Sequence, residues 1–223
     1  MTPHPNASPS PGATPDELLP AWGRGWAASR GTAEPVPLGS GAWRIQVGLP
    51  GHRRRDLLPA WPIARLRDWA DSITAPGAWI KALADPAELQ LPTAWQIHAT
   101  EYLMSTDLAD PTLPALAPGY RAERAGRGAV LECRVLAADG QTAARAQLGL
   151  AGRYAVFDQV VTEPAHRRLG LGRQAMALLA EAARAQGADT GLLVATEDGR
   201  ALYTALGWRV DSLMAAASVA EAG

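Results

Sequence analysis

The stretch "EPAHRRLGLGRQAM", residues 163–176, sets a proline, two arginines and two glycines directly ahead of a run with helical character. Glycine costs about 1 kcal/mol relative to alanine inside a helix, so Gly170 and Gly172 at a first turn mean that the backbone itself is used there. The first N–H groups of a helix have no partner within it, and the helix dipole makes that end positive. Such an end suits an anion.

Outward from this stretch the second half of the chain reads as a sequence of short elements. Strand "YAVFDQVV" runs into it, and a helix over 173–186 follows. Strand "GLLVAT", helix "DGRALYTAL" and "GWRV" complete the half. Ahead of them come strands "YRAER", "VLECRVLA" and "TAARAQLGL", joined at "AGRG" and "ADGQ", where Asp139-Gly140 signals a hairpin. Antiparallel strands followed by a strand–helix–strand crossover predict an α/β (α+β) fold: a mixed, mostly antiparallel sheet flanked by helices.

The first half is less regular. Residues 1–15, rich in Pro, Ser and Ala, read as a disordered tail. Residues 16–39 read as a short helix and a linker, "EPVPLGSG". Thr14 and Pro15 begin the helix, and Pro20, Gly23 and Gly25 weaken it. Then come strand "WRIQV", a loop at "HRRRDLLP", helix "PIARLRDWADSI", strand "AWIKAL", short helix "PAELQL" and the extended run "AWQIHATEYLM", with "DLADPTLPALAPG" as an interruption. Offsets of 113 and 114 place Trp95 on Trp208, Ala78 on Gly191, Val47 on Val160 and "PGHRR" on "PAHRR". Duplication and chance both remain open for matches this short.

Composition narrows the function. A formal net charge of -1 over 223 residues gives no general attraction to nucleic acid or to acidic membranes. Cys133 is the only cysteine and the four histidines are scattered, so no disulfide framework and no metal site is expected. No apolar run approaches a bilayer span, and "MTPHPNASPS" lacks the regions of a secretion signal, which together point to a soluble cytoplasmic protein. A small ligand is the better expectation.

Arg167-x-x-Gly170-x-Gly172 at a strand-to-helix turn, with "GLLVAT" after the helix and "ALYTALGW" beyond it, resembles the acetyl-CoA motif of the GNAT acyltransferases. The resemblance covers about residues 119–215. It implies acetyl-CoA as co-substrate, with direct transfer of the acetyl group to an amine of a small molecule or protein in a ternary complex. On this basis the amides of Arg168, Leu169, Gly170, Leu171, Gly172 and Arg173, with Arg167 beside them, would cradle a pyrophosphate. The main chain of Val160, Val161 and Thr162 would pair with the pantetheine arm, and splaying from "GLLVAT" would open a slot for the thioester. Tyr203 matches the tyrosine that protonates the departing thiolate. Asp158 is the first candidate to take the amine's proton and Glu132 the second. Cys133 reads as a buried thiol.

Two departures from the family are visible. The helices that usually follow the first strand are missing between Tyr120 and Val130, and Thr196 stands where asparagine is common. The expected division is therefore a degenerate GNAT-like domain over 40–110, without glycines in its loop and with Gln90 at the place of Tyr203, and a catalytic domain over 118–217. The last strand of the first domain would lie against the second, bringing His98, Glu101 or Tyr102 to the acceptor. A homodimer is among the options. The competing readings are a non-catalytic acyl-CoA sensor and a partner-binding protein.

Overall fold

Thr14 begins the first helix, where the Glu17 carboxylate accepts from the Thr14 N–H at 2.7 Å. This helix, α1 (Pro15–Arg30), ends at Gly31, whose φ of 64° is the left-handed conformation of a helix stop. The computed structural model describes residues 12–108 and 113–221; the expected tail through residue 11 and residues 109–112 of the interruption lie outside them. Pro20, Gly23 and Gly25 do not break α1. Its glycines are contact points: a Cβ on Gly23 would strike Leu57, and one on Gly25 would strike Val156 and come within 2.8 Å of the Gly149 carbonyl oxygen.

Four strands and a helix build the first half: β1 (Val36–Gly39), β2 (Ala42–Leu49), β3 (His52–Leu58), α2 (Ile63–Asp71) and β4 (Ala78–Ala82). After a single 3-10 turn at Pro86–Glu88 come β5 (Trp95–Ile97) and β6 (Glu101–Asp107). The second half holds β7 (Arg121–Arg127), β8 (Val130–Leu136), β9 (Thr142–Ala151), β10 (Tyr154–Thr162), α3 (Leu171–Arg184), β11 (Thr190–Ala195), α4 (Glu197–Ala205) and β12 (Arg209–Val219). Two expectations are corrected here. Part of the linker is the edge strand β1, and "HRRRDLL" is strand β3, not a loop.

All the strands join one twelve-stranded sheet, in the order β1-β2-β3-β4-β12-β6-β11-β10-β9-β8-β7, with β5 also on β12. Its middle is an exchange. From Arg209 to Met214, β12 pairs with β6, whose other edge pairs with β11. From Ala215 onward, β12 lies between β4 and β5. Each half thus inserts its last strand into the sheet of the other, and hydrogen bonding crosses the boundary expected at 110–118.

The halves share the antiparallel–crossover–parallel unit, β2-β3-α2-β4 and β9-β10-α3-β11. With Ala78 set on Gly191, its partner Arg54 falls on Ala155, so β3 corresponds to β10. The matches of "PGHRR" with "PAHRR" and of Val47 with Val160 therefore have no structural counterpart. The connection matching the glycine-rich loop is the short run 59–62, "PAWP".

One face of the sheet carries α1, whose Leu18, Leu19, Trp22 and Trp26 pack on Leu57 of the first half and on Val156, Leu192 and Met214 of the second. The opposite face carries α2 over the first half and α3 with α4 over the second. No helix among the described residues is long and apolar enough to cross a membrane.

Candidate active site

The β10–β11 pair holds together only over Tyr154–Val156, opposite Thr190–Leu192. Beyond that the strands part, while β10 stays on β9 through Thr162. A bulge at Gln159, with φ of 52°, shifts the register between Asp158 and Val161. The main chain of Val160, Val161 and Thr162 is therefore left without a partner strand on its β11 side. In the first half the corresponding β3–β4 pair stays in register from Arg54 to Leu58 and no slot opens.

The slot leads to the loop before α3. Arg168 and Gly170 both adopt left-handed conformations, with φ of 63° and 72°. Among the described residues the N–H groups of residues 168–173 donate to no backbone acceptor, and the first bond of the helix runs from the Gln174 N–H to Gly170 at 2.9 Å. The result is a run of free donors at a positive helix end. Arg167 turns back, its Nε donating to the Thr162 carbonyl at 3.3 Å. A Cβ on Gly172 would lie 3.0 Å from the Thr162 hydroxyl, closing the corner where slot and loop meet.

Tyr203 sits on α4 at the same apolar cluster as Val160, Leu193 and Ala195. Its ring lies 5.8 Å from Trp208, which meets Phe157 of β10 edge-on at 5.6 Å. Burial pushes the phenol above its ordinary value, so it keeps its proton at neutral pH. Thr196, at the asparagine position, caps α4 by accepting from the Gly199 N–H at 3.3 Å. Burial raises the Cys133 thiol to about 11.

Asp158, the first candidate for the amine's proton, lies on β10 and is held by α1. Its two carboxylate oxygens accept from the Arg30 guanidinium, one at 2.9 Å, and the Ser29 hydroxyl donates to it at 3.1 Å. These contacts clamp the last turn of α1 onto β10. Glu132 opens onto a cavity of about 450 Å³ with Arg134, Arg145, Gln147 and Gln159, on the sheet face beyond the end of α1.

His98, Glu101 and Tyr102 are not brought together. Glu101 and His98 lie on the α1 face, where Glu101 pairs with the buried Lys81 and His98 bonds the Ser218 hydroxyl at 2.8 Å and stacks on Trp79 at 4.7 Å. Burial lowers Lys81 to about 8. Tyr102 points to the opposite face and donates to Glu197 at the start of α4, under Arg200. Sequence reasoning missed Arg55 and His52, which join the α1 face beside Trp26. For Arg55 the signal was the strand alternation of "HRRRDLL", in phase with Leu57; His52, at the strand's start, is out of that phase. Among the described residues no group of acidic, histidine or cysteine side chains could hold a metal ion.

The pattern of the Acetyltransferase (GNAT) family matches residues 93–208, just over half of the chain. A GCN5-related N-acetyltransferase from Kribbella flavida superposes with a TM-score of 0.63 at 15% identity, over 91% of this chain and 95% of its own. A protein described as an acetyltransferase of the GNAT family from Novosphingobium aromaticivorans gives 0.57 at 18%, over 92% and 99%. A tandem GNAT protein from the clavulanic acid biosynthesis pathway gives 0.51 at 16%, over 72% and 69%. At these identities the likeness speaks for the fold alone. No curated protein matches. With the family pattern matched and the slot, donor loop and sheet in place, the chain belongs to the GNAT acetyltransferase family.

Proposed function

We propose that the protein is an acetyl-CoA-dependent N-acetyltransferase whose single active site lies in the second half. The observation that carries this reading is the unpaired β10 edge at Val160–Thr162 leading into the free N–H groups of residues 168–173. Acetyl-CoA would supply an activated thioester there. The donors of residues 168–173 bind its pyrophosphate, and the β10 edge orients its amide-bearing arm as an added strand. The acceptor nitrogen forms the new C–N bond as the C–S bond breaks. Tyr203 gives its proton to the departing sulfur, and the amine's surplus proton passes to water. β3 and β4 stay paired and the 59–62 loop has no glycine, so the first half contributes no second site.

The test is a calorimetric titration with acetyl-CoA and CoA, followed by amine-dependent release of free thiol. Saturable binding at one site per chain and thiol release that requires an amine are expected. Absence of binding by the folded protein would overturn the reading, and binding without amine-dependent release across a broad panel would favour a sensor.

A further inference from the structure

On the α1 face, linked to β10 beside the slot through Trp26, Arg30 and Asp158, lies a cluster of charge whose pairing is incomplete. Arg30 is bound to Asp158 on β10, and Lys81 to Glu101 on β6. Arg55 is the odd cation. It is 8% exposed, its guanidinium sits 4.0 Å above the Trp26 ring and 5.9 Å from that of Trp22, and its enclosed Nε has no hydrogen-bond acceptor. No acceptor among the described residues meets its terminal nitrogens either, although it feels the fields of both Glu101 and Asp158. Stacking on Trp26 offsets part of the cost of burying this charge, but the Nε donor has lost water without gaining an acceptor, and the terminal donors are left able to meet one. His52, set between Trp26 and Trp79, likewise has an enclosed Nε2 without a partner, and it stays neutral.

Three cations against two carboxylates leave one positive charge, which a monoanion balances. A phosphate dianion would exceed that balance and face Glu101 and Asp158. The planar fork of a guanidinium matches a carboxylate, and the walls Trp22, Trp26, His52 and Trp79 suit a flat or apolar body attached to it. We propose that Arg55 is the carboxylate-binding residue of an acceptor subsite, so that the acetylated amine belongs to a molecule that also carries a carboxylate. This rests on the acetyl-transfer reading for the word acceptor; the carboxylate site itself stands on Arg55 and its surroundings.

The experiment follows the tryptophan fluorescence of the full-length protein during titration with benzoate, its uncharged isostere benzamide, and inorganic phosphate. Benzoate should give saturable quenching, with benzamide and phosphate weaker by about tenfold or more, the range for hydrogen bonds to a charged group. Arg55→Met should abolish the preference for benzoate and Arg55→Lys should restore part of it, with acetyl-CoA affinity unchanged in both. Equal binding of benzoate and benzamide by the unaltered protein overturns the proposal without any variant being needed. So does a preference for phosphate, or an Arg55→Met protein that binds benzoate normally. Acetyl-CoA titrated in parallel separates the two claims: benzoate binding without acetyl-CoA binding keeps the subsite and removes the transferase reading, and the converse removes only the subsite.

Discussion

Three single residues test the slot, the proton and the pH response. Gly172 faces the Thr162 hydroxyl at the corner of slot and loop. Gly172→Val should weaken acetyl-CoA binding by about tenfold or more, because a branched side chain occupies the approach of the ligand, while the urea midpoint changes little. Titration calorimetry beside a denaturation curve checks both halves of that statement. Tyr203→Phe removes the proton held by burial and keeps the ring against Trp208, so turnover should fall by about 10²-fold with acetyl-CoA affinity unchanged. Equal turnover would make Tyr203 a packing residue. His52 supplies the pH test. Unfolded, it takes a proton near 6.5; folded, burial and the neighbouring cations hold it off until about 4. Over that window the unfolded state binds more protons, so stability falls as pH falls. In His52→Phe the dependence of unfolding free energy on pH between these values should flatten, and an unchanged slope would clear His52 of the effect.

At the scale of elements, α1 covers one face of both halves of the sheet, and it is held by two devices. The first is backbone contact: a Cβ on Gly149 would fall on the Gly25 carbonyl and within 3.0 Å of the Ser29 nitrogen. Gly149→Ala has no room on either side, and an overpacking cost of about 3 kcal/mol is expected from urea denaturation. The second is the Asp158 clamp on Ser29 and Arg30. Asp158→Asn keeps the shape and removes the charge, and with Arg30 partly in solvent the loss should be about 1–2 kcal/mol. The same variant decides between clamp and base. As a clamp it leaves the pH profile of turnover in place; as a base its loss would remove the acid limb of that profile.

For the whole molecule, the exchanged strands make the halves interdependent. A fragment beginning at Pro118 lacks β6, which leaves facing edges of β11 and β12 without their partner strand. It also leaves Ala215–Val219 as a strand with no neighbours, since β4 and β5 are absent. Such a fragment should aggregate, because it exposes unpaired edges and the apolar seat of α1. The full chain should unfold in one transition by tryptophan fluorescence, which reports mainly on the first half, and by far-ultraviolet circular dichroism. Two separated transitions would show that the halves fold on their own.

The donor loop, the crossover after it and the hairpins before it were legible in the sequence because each is local: paired glycines, a turn signal and two periodicities act within a few residues. The family followed from the same local marks. "HRRRDLL" did not announce itself as a strand, since three arginines in a row read as solvated. Only the rings of Trp22 and Trp26 give Arg55 an inside to face. Pro20, Gly23 and Gly25 look like helix breakers, yet packing against Leu57, Val156 and Gly149 requires the glycines to be small and outweighs propensity. Asp158 reads as a free carboxylate until Arg30, far away in the chain, is brought to it. The sequence by itself determined most of the units of the second half, each a short run able to form its own turn, helix or strand. Tertiary structure decided which half each last strand completes and which charge is left unpaired, because those depend on edges and fields that exist only after the units have met.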